Sequence, residues 1–225
     1  MSPSMQNILV TLAGFVYVFG VVKVMDMFVQ KGFPQDISRK VVHVAAGSWL
    51  IFWPLYDASH WTKYLNILPA AVWTVLLLVK GFTADENDEA VKTMTRTGDR
   101  RELLKGPLFF TIVMDLLGTI WFYNPAAITA MGFLGWGDGA APVIGKRYGK
   151  HKYKILSEKS VEGSLGFLIF GFAGAVLFNL LLNGTVNWEL IFYSAFVTVI
   201  VEAISPANWD NIFIPVSVLL LYYFF

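Results

Sequence analysis

Asn7 to Val29 reads NILVTLAGFVYVFGVVKVMDMFV, an apolar run interrupted only by Lys23 and Asp26. A bilayer core about 30 Å thick is crossed by roughly 20 helical residues, so this run is expected to be a transmembrane helix. It is too long for a signal-peptide core of roughly 7 to 15 residues, and no small-residue cleavage pattern closes it. The six residues ahead of it leave no room for a transit peptide, and a retained first helix is expected.

Working outward, further apolar runs lie at about 41 to 56, 64 to 82, 106 to 122, 125 to 143, 164 to 183 and 188 to 204, with a short terminal one at 212 to 225. The composition agrees: 56% hydrophobic residues, 15% charged residues and a mean hydropathy of +0.58 are those of an integral membrane protein. The expected fold is an all-α, polytopic bundle of seven to eight spans forming one domain over residues 1–225. The net charge of +1 identifies no partner, and no nucleic acid is expected. The chain has no cysteine, which excludes disulfides, thiolate metal sites and a cysteine nucleophile. The oligomeric state is not legible.

If all eight runs cross, sixteen of the seventeen Lys and Arg residues fall on one side and only Lys63 on the other. The positive-inside rule makes that side cytoplasmic. The opposite loops are short, so the chemistry is expected at the cytoplasmic surface, in a prokaryotic plasma membrane as the simplest setting. The polar stretch Thr83 to Lys105 places Asp85, Glu86, Asp88 and Glu89 ahead of its basic residues, a pattern that suits an interfacial helix.

The chemistry-bearing residues gather in four places. Asp138, between Gly137 and Gly139, stands where an expected helix meets the cytoplasm. A carboxylate there suits Mg²⁺, which usually takes one or two carboxylates together with substrate phosphates. Gly145, Lys146 and Arg147 follow, and then Lys159, Ser160, Glu162, Gly163 and Ser164 at the start of the next helix. Cations and helix-start N–H groups together are suited to a triphosphate. The loop is not a Walker A sequence, which would need Gly at Ala140 and Ser or Thr at Arg147. Helix-packing glycines and cations marking the cytoplasmic side account for the same residues.

Arg39, Lys40 and His43 form the second place, with Arg39 and His43 on one helical face; interfacial anchoring explains them equally well. Glu102 precedes Gly106-Pro107 in the third, where a solvated charge face before a helix-start proline is the plainer reading. Glu202, embedded in an apolar run, with Asp210 and Asn211 beyond it, forms the fourth; a carboxylate there needs a partner and suggests a site. Asp115 is a second embedded acid without an assigned role.

In this order, Arg39-Lys40 with His43, Glu102 with Gly106-Pro107-Leu108, Gly137-Asp138-Gly139-Ala140-Ala141 through Gly145, Lys159-Ser160 with Glu162-Gly163-Ser164, and Asp210-Asn211 with Pro215 resemble the CTP-dependent polyprenol kinase family. That family includes phytol, farnesol and dolichol kinases beside CTP-dependent diacylglycerol kinases. The resemblance implies transfer of the γ-phosphoryl of CTP, with a divalent metal, to a membrane-dissolved alcohol. It assigns the matching positions Arg39, Lys40, Asp138, Gly145, Lys159 and Glu162. The stretch Arg101 to Leu108 looks most like the phytol kinase branch, which points to phytol, geranylgeraniol or a similar isoprenoid alcohol. Composition and spacing do not select CTP over ATP. Catalytic roles are expected for Asp138, Arg39, Lys40, Glu202 and Asp210, and substrate contacts for His43, Glu102 and Asn211. A diacylglycerol kinase or a phosphatidate cytidylyltransferase is the rival enzyme, and a transporter using Asp115 and Glu202 is the rival of another class.

Overall fold

The computed structural model describes residues 1–85 and 87–225 and is 79% helical. Glu86, one acid of the expected interfacial helix, lies outside the described residues. The chain forms two compact units, Met1–Ala45 with Phe52–Phe122, and Ala46–Ile51 with Tyr123–Phe225.

The first unit contains α1 (Pro3–Gln30), most of α2 (Gln35–Gly47), a 3₁₀ segment from Trp61–Ile67 that runs into α3 (Leu68–Thr83), the short α4 (Glu89–Met94), and a 3₁₀ turn Arg100–Leu104 leading into α5 (Gly106–Ile120). Proline stands in the first turn of α1, α3 and α5, where its missing N–H has no intrahelical partner to lose. Ser2 caps α1 by accepting the Met5 N–H at 3.3 Å. Leu77, Ala84, Ala90, Val91, Leu103 and Leu108 form a buried cluster, with Trp73, Met94 and Leu104 packed on it. At the other end of the unit, fully buried Asn7 donates to the Thr62 hydroxyl at 2.9 Å and to the Asp57 carbonyl at 3.1 Å. Its carbonyl accepts the Asp57 N–H at 2.7 Å, so every polar function of that buried amide is used.

Two expectations are corrected here. The apolar run at 41 to 56 is not one regular α-helix: α2 stops at Gly47 and passes directly into a 3₁₀ segment, Ser48–Leu55. Pro54 lies near the end of that segment, where its missing N–H opposes further α-helix. The stretch 83 to 105 is not one interfacial helix either: among its described residues beyond the end of α3 at Thr83, the helical pieces are α4 and the 3₁₀ turn. Asp88 and Asp99 cap those two pieces, by accepting the N–H of Ala90 and of Arg101, and thereby start separate short helices.

The second unit is built on an uninterrupted helical run: α6 (Pro125–Met131), a π-helical stretch (Gly132–Gly137) and α7 (Asp138–Tyr148). A short antiparallel hairpin, β1 (Lys152–Lys154) and β2 (Glu158–Ser160), then leads into α8 (Val161–Asn183), α9 (Trp188–Ile204) and α10 (Asp210–Phe224). The α6–α7 run packs against α8 along a seam of glycines. A Cβ on Gly174 would stand 3.0 Å from the Trp136 side chain and 3.1 Å from the Gly132 carbonyl oxygen. Only residues without side chains allow that approach, the usual device where helices pack without a hydrophobic driving force between them. Asn179 of α8 donates to the Thr129 hydroxyl of α6 at 2.9 Å, and Thr129 shares a 2.8 Å hydrogen bond with Tyr222 of α10.

Among the described residues, four helical stretches are long and apolar enough to cross a membrane: Pro3–Gln30, Trp61–Thr83, Arg100–Ile120 and Val161–Asn183. Asp210–Phe224 is apolar but shorter. Large apolar side chains stay exposed along these helices, Val16, Ile169 and Leu181 among them, as a lipid-facing surface requires.

Candidate functional site

The hairpin, the start of α8, the end of α9 and the start of α10 converge on one ion-pair cluster. Lys159, the middle residue of β2, directs its ammonium group to the Glu202 side-chain Oε1 and to the Glu202 carbonyl oxygen, both at 2.5 Å. Asp210 Oδ2 stands 3.7 Å from the same ammonium. The three side chains are only 14%, 6% and 15% exposed, so one nearly buried cation is held between two nearly buried carboxylates. The Ser164 hydroxyl donates to Glu202 Oε2 at 3.2 Å and shares a 2.6 Å hydrogen bond with the Tyr153 hydroxyl. Tyr153 and Lys159 are Cα partners across the hairpin, which is why both reach the same face.

Glu202 therefore has the partner that an embedded carboxylate requires, and it is the cation expected on the nucleotide. Lys159, Ser164, Glu202 and Asp210, singled out from separate stretches of sequence, are brought together. Asn211 follows Asp210 in α10 and is 6% exposed. Its amide N–H donates to the Asn208 carbonyl at 3.2 Å, and its buried Oδ1 has no hydrogen-bond partner among the described residues.

The glycines at 137 and 139 do not form a flexible loop. Asp138 is 7% exposed and opens α7 with helical dihedrals, directly after the π-helical stretch. Gly137 makes room for the Phe167 ring, which a Cβ would approach to 3.1 Å. Gly145 and Gly163 face each other: a Cβ on Gly163 would lie 3.3 Å from Gly145 Cα and 3.1 Å from the Ala141 carbonyl. The start of α8 is also less open than expected. Ser160, the N-cap, accepts the Gly163 N–H at 3.1 Å, and the Val161 N–H donates to the His151 carbonyl at 3.0 Å. Glu162 accepts the His151 ring Nδ1 at 2.7 Å and the His151 N–H at 3.3 Å, closing the loop before the hairpin.

Lys146 and Arg147 lie exposed in the last turn of α7, where cations complement the helix dipole, and the Arg147 guanidinium lies 5.5 Å from the Tyr148 ring centre. Among the described residues no group of three or more His, Asp or Glu is placed to hold a metal ion. A site in which phosphate oxygens supply most ligands to Mg²⁺ needs only one or two carboxylates.

Arg39, Lys40, His43 and Glu102 belong to the first unit. The first three lie on α2, and the His43 ring packs 4.1 Å from Phe110. Glu102 accepts the Arg96 N–H at 2.5 Å and the Thr97 hydroxyl at 2.7 Å, so it fastens its own loop. Asp115 accepts the Thr74 hydroxyl on Oδ2 at 2.9 Å, while its buried Oδ1 has no hydrogen-bond partner among the described residues. Tyr153 and His151 were missed in the sequence. The signal for Tyr153 is alternation over a three-residue strand, too short to separate from loop, and His151 precedes that strand with no pattern of its own.

No protein-family model and no solved structure matches the chain. It is 30% identical over 202 residues to a protein of Glycine max named probable phytol kinase 1, chloroplastic, covering 84% of this chain and 67% of that one. The chain belongs to the polyprenol kinase family. Within this family, phytol kinase 1 of Arabidopsis thaliana is also 30% identical over 202 residues, covering 84% and 66% of the two chains. Farnesol kinase of the same plant is 33% identical over 148 residues, covering 65% and 48%. The chain thus spans between about half and two thirds of these relatives' length. All three are named chloroplastic, which does not favour the prokaryotic plasma membrane expected from the sequence.

Proposed function

We propose that the protein is a membrane-embedded kinase, acting as one domain over residues 1–225, that transfers the γ-phosphoryl group of CTP to the hydroxyl of an isoprenoid alcohol such as phytol or geranylgeraniol. Transfer of a phosphoryl group needs positioning and charge neutralisation more than covalent chemistry. The observation that carries the reading is Lys159 held between Glu202 and Asp210, because a cation and two carboxylates in one place serve both halves of that task.

The alcohol oxygen attacks the γ-phosphorus in line, the new O–P bond forms, and the bond to the β-phosphate oxygen breaks to release CDP. The alcohol proton passes to a carboxylate, Glu202 or Asp210. Lys159 exchanges one carboxylate for phosphate oxygen as the nucleotide arrives, and the exposed Lys146 and Arg147 meet its remaining charge. Ser160, Glu162 and Gly163 keep the hairpin and α8 in register, and Gly145 keeps α7 close. Asp138 would hold Mg²⁺, which would supply charge neutralisation for the leaving group. For Arg39, Lys40, His43 and Glu102 the proposal rests on the sequence resemblance alone. The finer topology we propose is eight crossings with the basic loops on the cytoplasmic side.

The test is γ-labelled CTP against γ-labelled ATP, incubated with purified protein, Mg²⁺ and phytol, geranylgeraniol, farnesol or diacylglycerol, followed by lipid extraction. Labelled prenyl monophosphate formed from CTP is the expected product. Label only in phosphatidate makes it a diacylglycerol kinase, and label only from ATP removes the CTP assignment. Pyrophosphate released from CTP and phosphatidate, without lipid label, makes it a cytidylyltransferase.

A further inference from the structure

The inner face of the β1–β2 hairpin builds the ion-pair cluster, but its turn is not used by it. Ile155, Leu156 and Ser157 connect the strands, and Ile155 and Leu156 are 57% and 63% exposed. The Ser157 hydroxyl donates to the Ser205 carbonyl at 2.9 Å, which ties the turn to the end of α9. At its other end the hairpin runs directly into α8, a helix of membrane-crossing length. Four extended residues from Ser160 back to Leu156 reach about 13 Å, so the turn stays within range of the zone where α8 leaves the bilayer.

The charge around this turn is predominantly positive. Lys146, Arg147, Lys150, Lys152 and Lys154 are all exposed, with Glu158, the Cα partner of Lys154, as the exposed acid among them. The Lys152 ammonium makes a long 3.4 Å contact to the Gly145 carbonyl. Exposed apolar tips flanked by cations, next to a membrane helix, have the chemistry that partitions into a headgroup layer carrying negative charge.

We infer that the Ile155–Leu156 turn is an interfacial anchor that seats in an anionic lipid surface. Tyr153 and Lys159 stand on the inner face of the same two strands, so seating the turn also holds Lys159 beside Glu202. That last consequence rests on the kinase reading; the anchor itself does not.

The chain has no cysteine, so Leu156→Cys introduces a single thiol for a nitroxide label. The full chain is placed in lipid nanodiscs of phosphatidylcholine alone and of phosphatidylcholine with one third phosphatidylglycerol. Relaxation by oxygen, which concentrates in lipid, is compared with relaxation by a water-soluble nickel chelate. The expected result is an oxygen-to-nickel ratio at residue 156 at least threefold higher in the anionic discs than at a label on Lys150→Cys. In the neutral discs, or in the anionic discs after Lys152→Glu with Lys154→Glu, that advantage should fall to less than half. Nickel access as free as at residue 150 in both discs overturns the anchor, and an equal oxygen-rich signal in both discs overturns the preference for anionic lipid. Ile155→Cys provides the same reading if Leu156→Cys does not fold. Failure of the wild-type chain to phosphorylate any alcohol in these discs would remove the kinase reading and leave the depth readings intact.

Discussion

Replacing Glu202 and Lys159 singly and together measures the ion pair on which the site is built. At the 2.5 Å separation of Lys159 and Glu202 the Coulomb energy is about 6–7 kcal/mol for an effective dielectric near 20. Asp210, at 3.7 Å from the same ammonium, adds about 4–5 kcal/mol on the same scale. Removing nearly buried ions from water costs several kcal/mol each, which offsets most of that attraction. Lys159→Met leaves two carboxylates facing each other without a cation and should cost about 3–5 kcal/mol. Glu202→Gln is milder, about 1–2 kcal/mol, because the amide oxygen still accepts from Lys159 and Asp210 still neutralises the charge. The double-mutant cycle should therefore return a coupling of about 2–3 kcal/mol. Thermal unfolding followed by tryptophan fluorescence in detergent is the assay. On the scale of soluble domains of this length, 1 kcal/mol moves Tm by about 2–4 °C, so the lysine variant should fall by about 6 to 20 °C. A coupling below about 0.5 kcal/mol would mean that the pair does not form in the folded protein, and the site built on it would be withdrawn.

Three further outcomes follow from named contacts. Gly132→Ala should abolish accumulation of folded protein in a detergent-extraction assay, because its Cβ would meet the Ala175 backbone, which cannot give way as a flexible side chain can; overpacking ordinarily costs about 1–3 kcal/mol and a backbone obstacle lies at or beyond that limit. Tyr153→Phe removes the hydroxyl bonded to Ser164, and should cost about 1 kcal/mol of stability, a fall of about 2–4 °C in Tm, and shift the acid limb of the pH–rate profile, since Ser164 donates to the carboxylate proposed as base; an unchanged profile would confine Tyr153 to packing. Burial raises the Asp88 carboxyl, but the Lys80 hydrogen bonds and charge and the Ala90 N–H outweigh it and hold the carboxyl below the usual range. Its contribution is therefore present above the unfolded value, about pH 4, and is lost as pH falls through the lowered folded value. Asp88→Asn should cost about 1 kcal/mol at neutral pH, and the difference from wild type should vanish on acidification in pH-dependent melting curves.

The helical class of this protein and its membrane character are local properties. Runs such as 188 to 204 appear as helices with the ends expected, because apolar length and helix-start signals such as Pro107 and Pro125 act within a few residues of themselves. The motifs that point to the family are also local and were legible in order. What failed were the places where local geometry outweighs a pattern: the change from α2 to a 3₁₀ segment at Ser48 inside the run at 41 to 56, and the caps Asp88 and Asp99 dividing the polar stretch after α3.

The site needed the tertiary structure. Glu202 is separated from Lys159 by all of α8, and no spacing rule spans that distance; packing of α8, α9 and α10 sets the ammonium between the two carboxylates. The same packing turns Gly145 and Gly163 into a close helix contact, uses the Gly163 N–H in the Ser160 cap, and makes Tyr153 a neighbour of Ser164. The sequence by itself determined that the chain is helical, apolar and armed with a particular set of ions, since those depend on composition and near-neighbour geometry. Which ion meets which was decided only in three dimensions, because the energy of a buried charge depends on the groups that surround it in space.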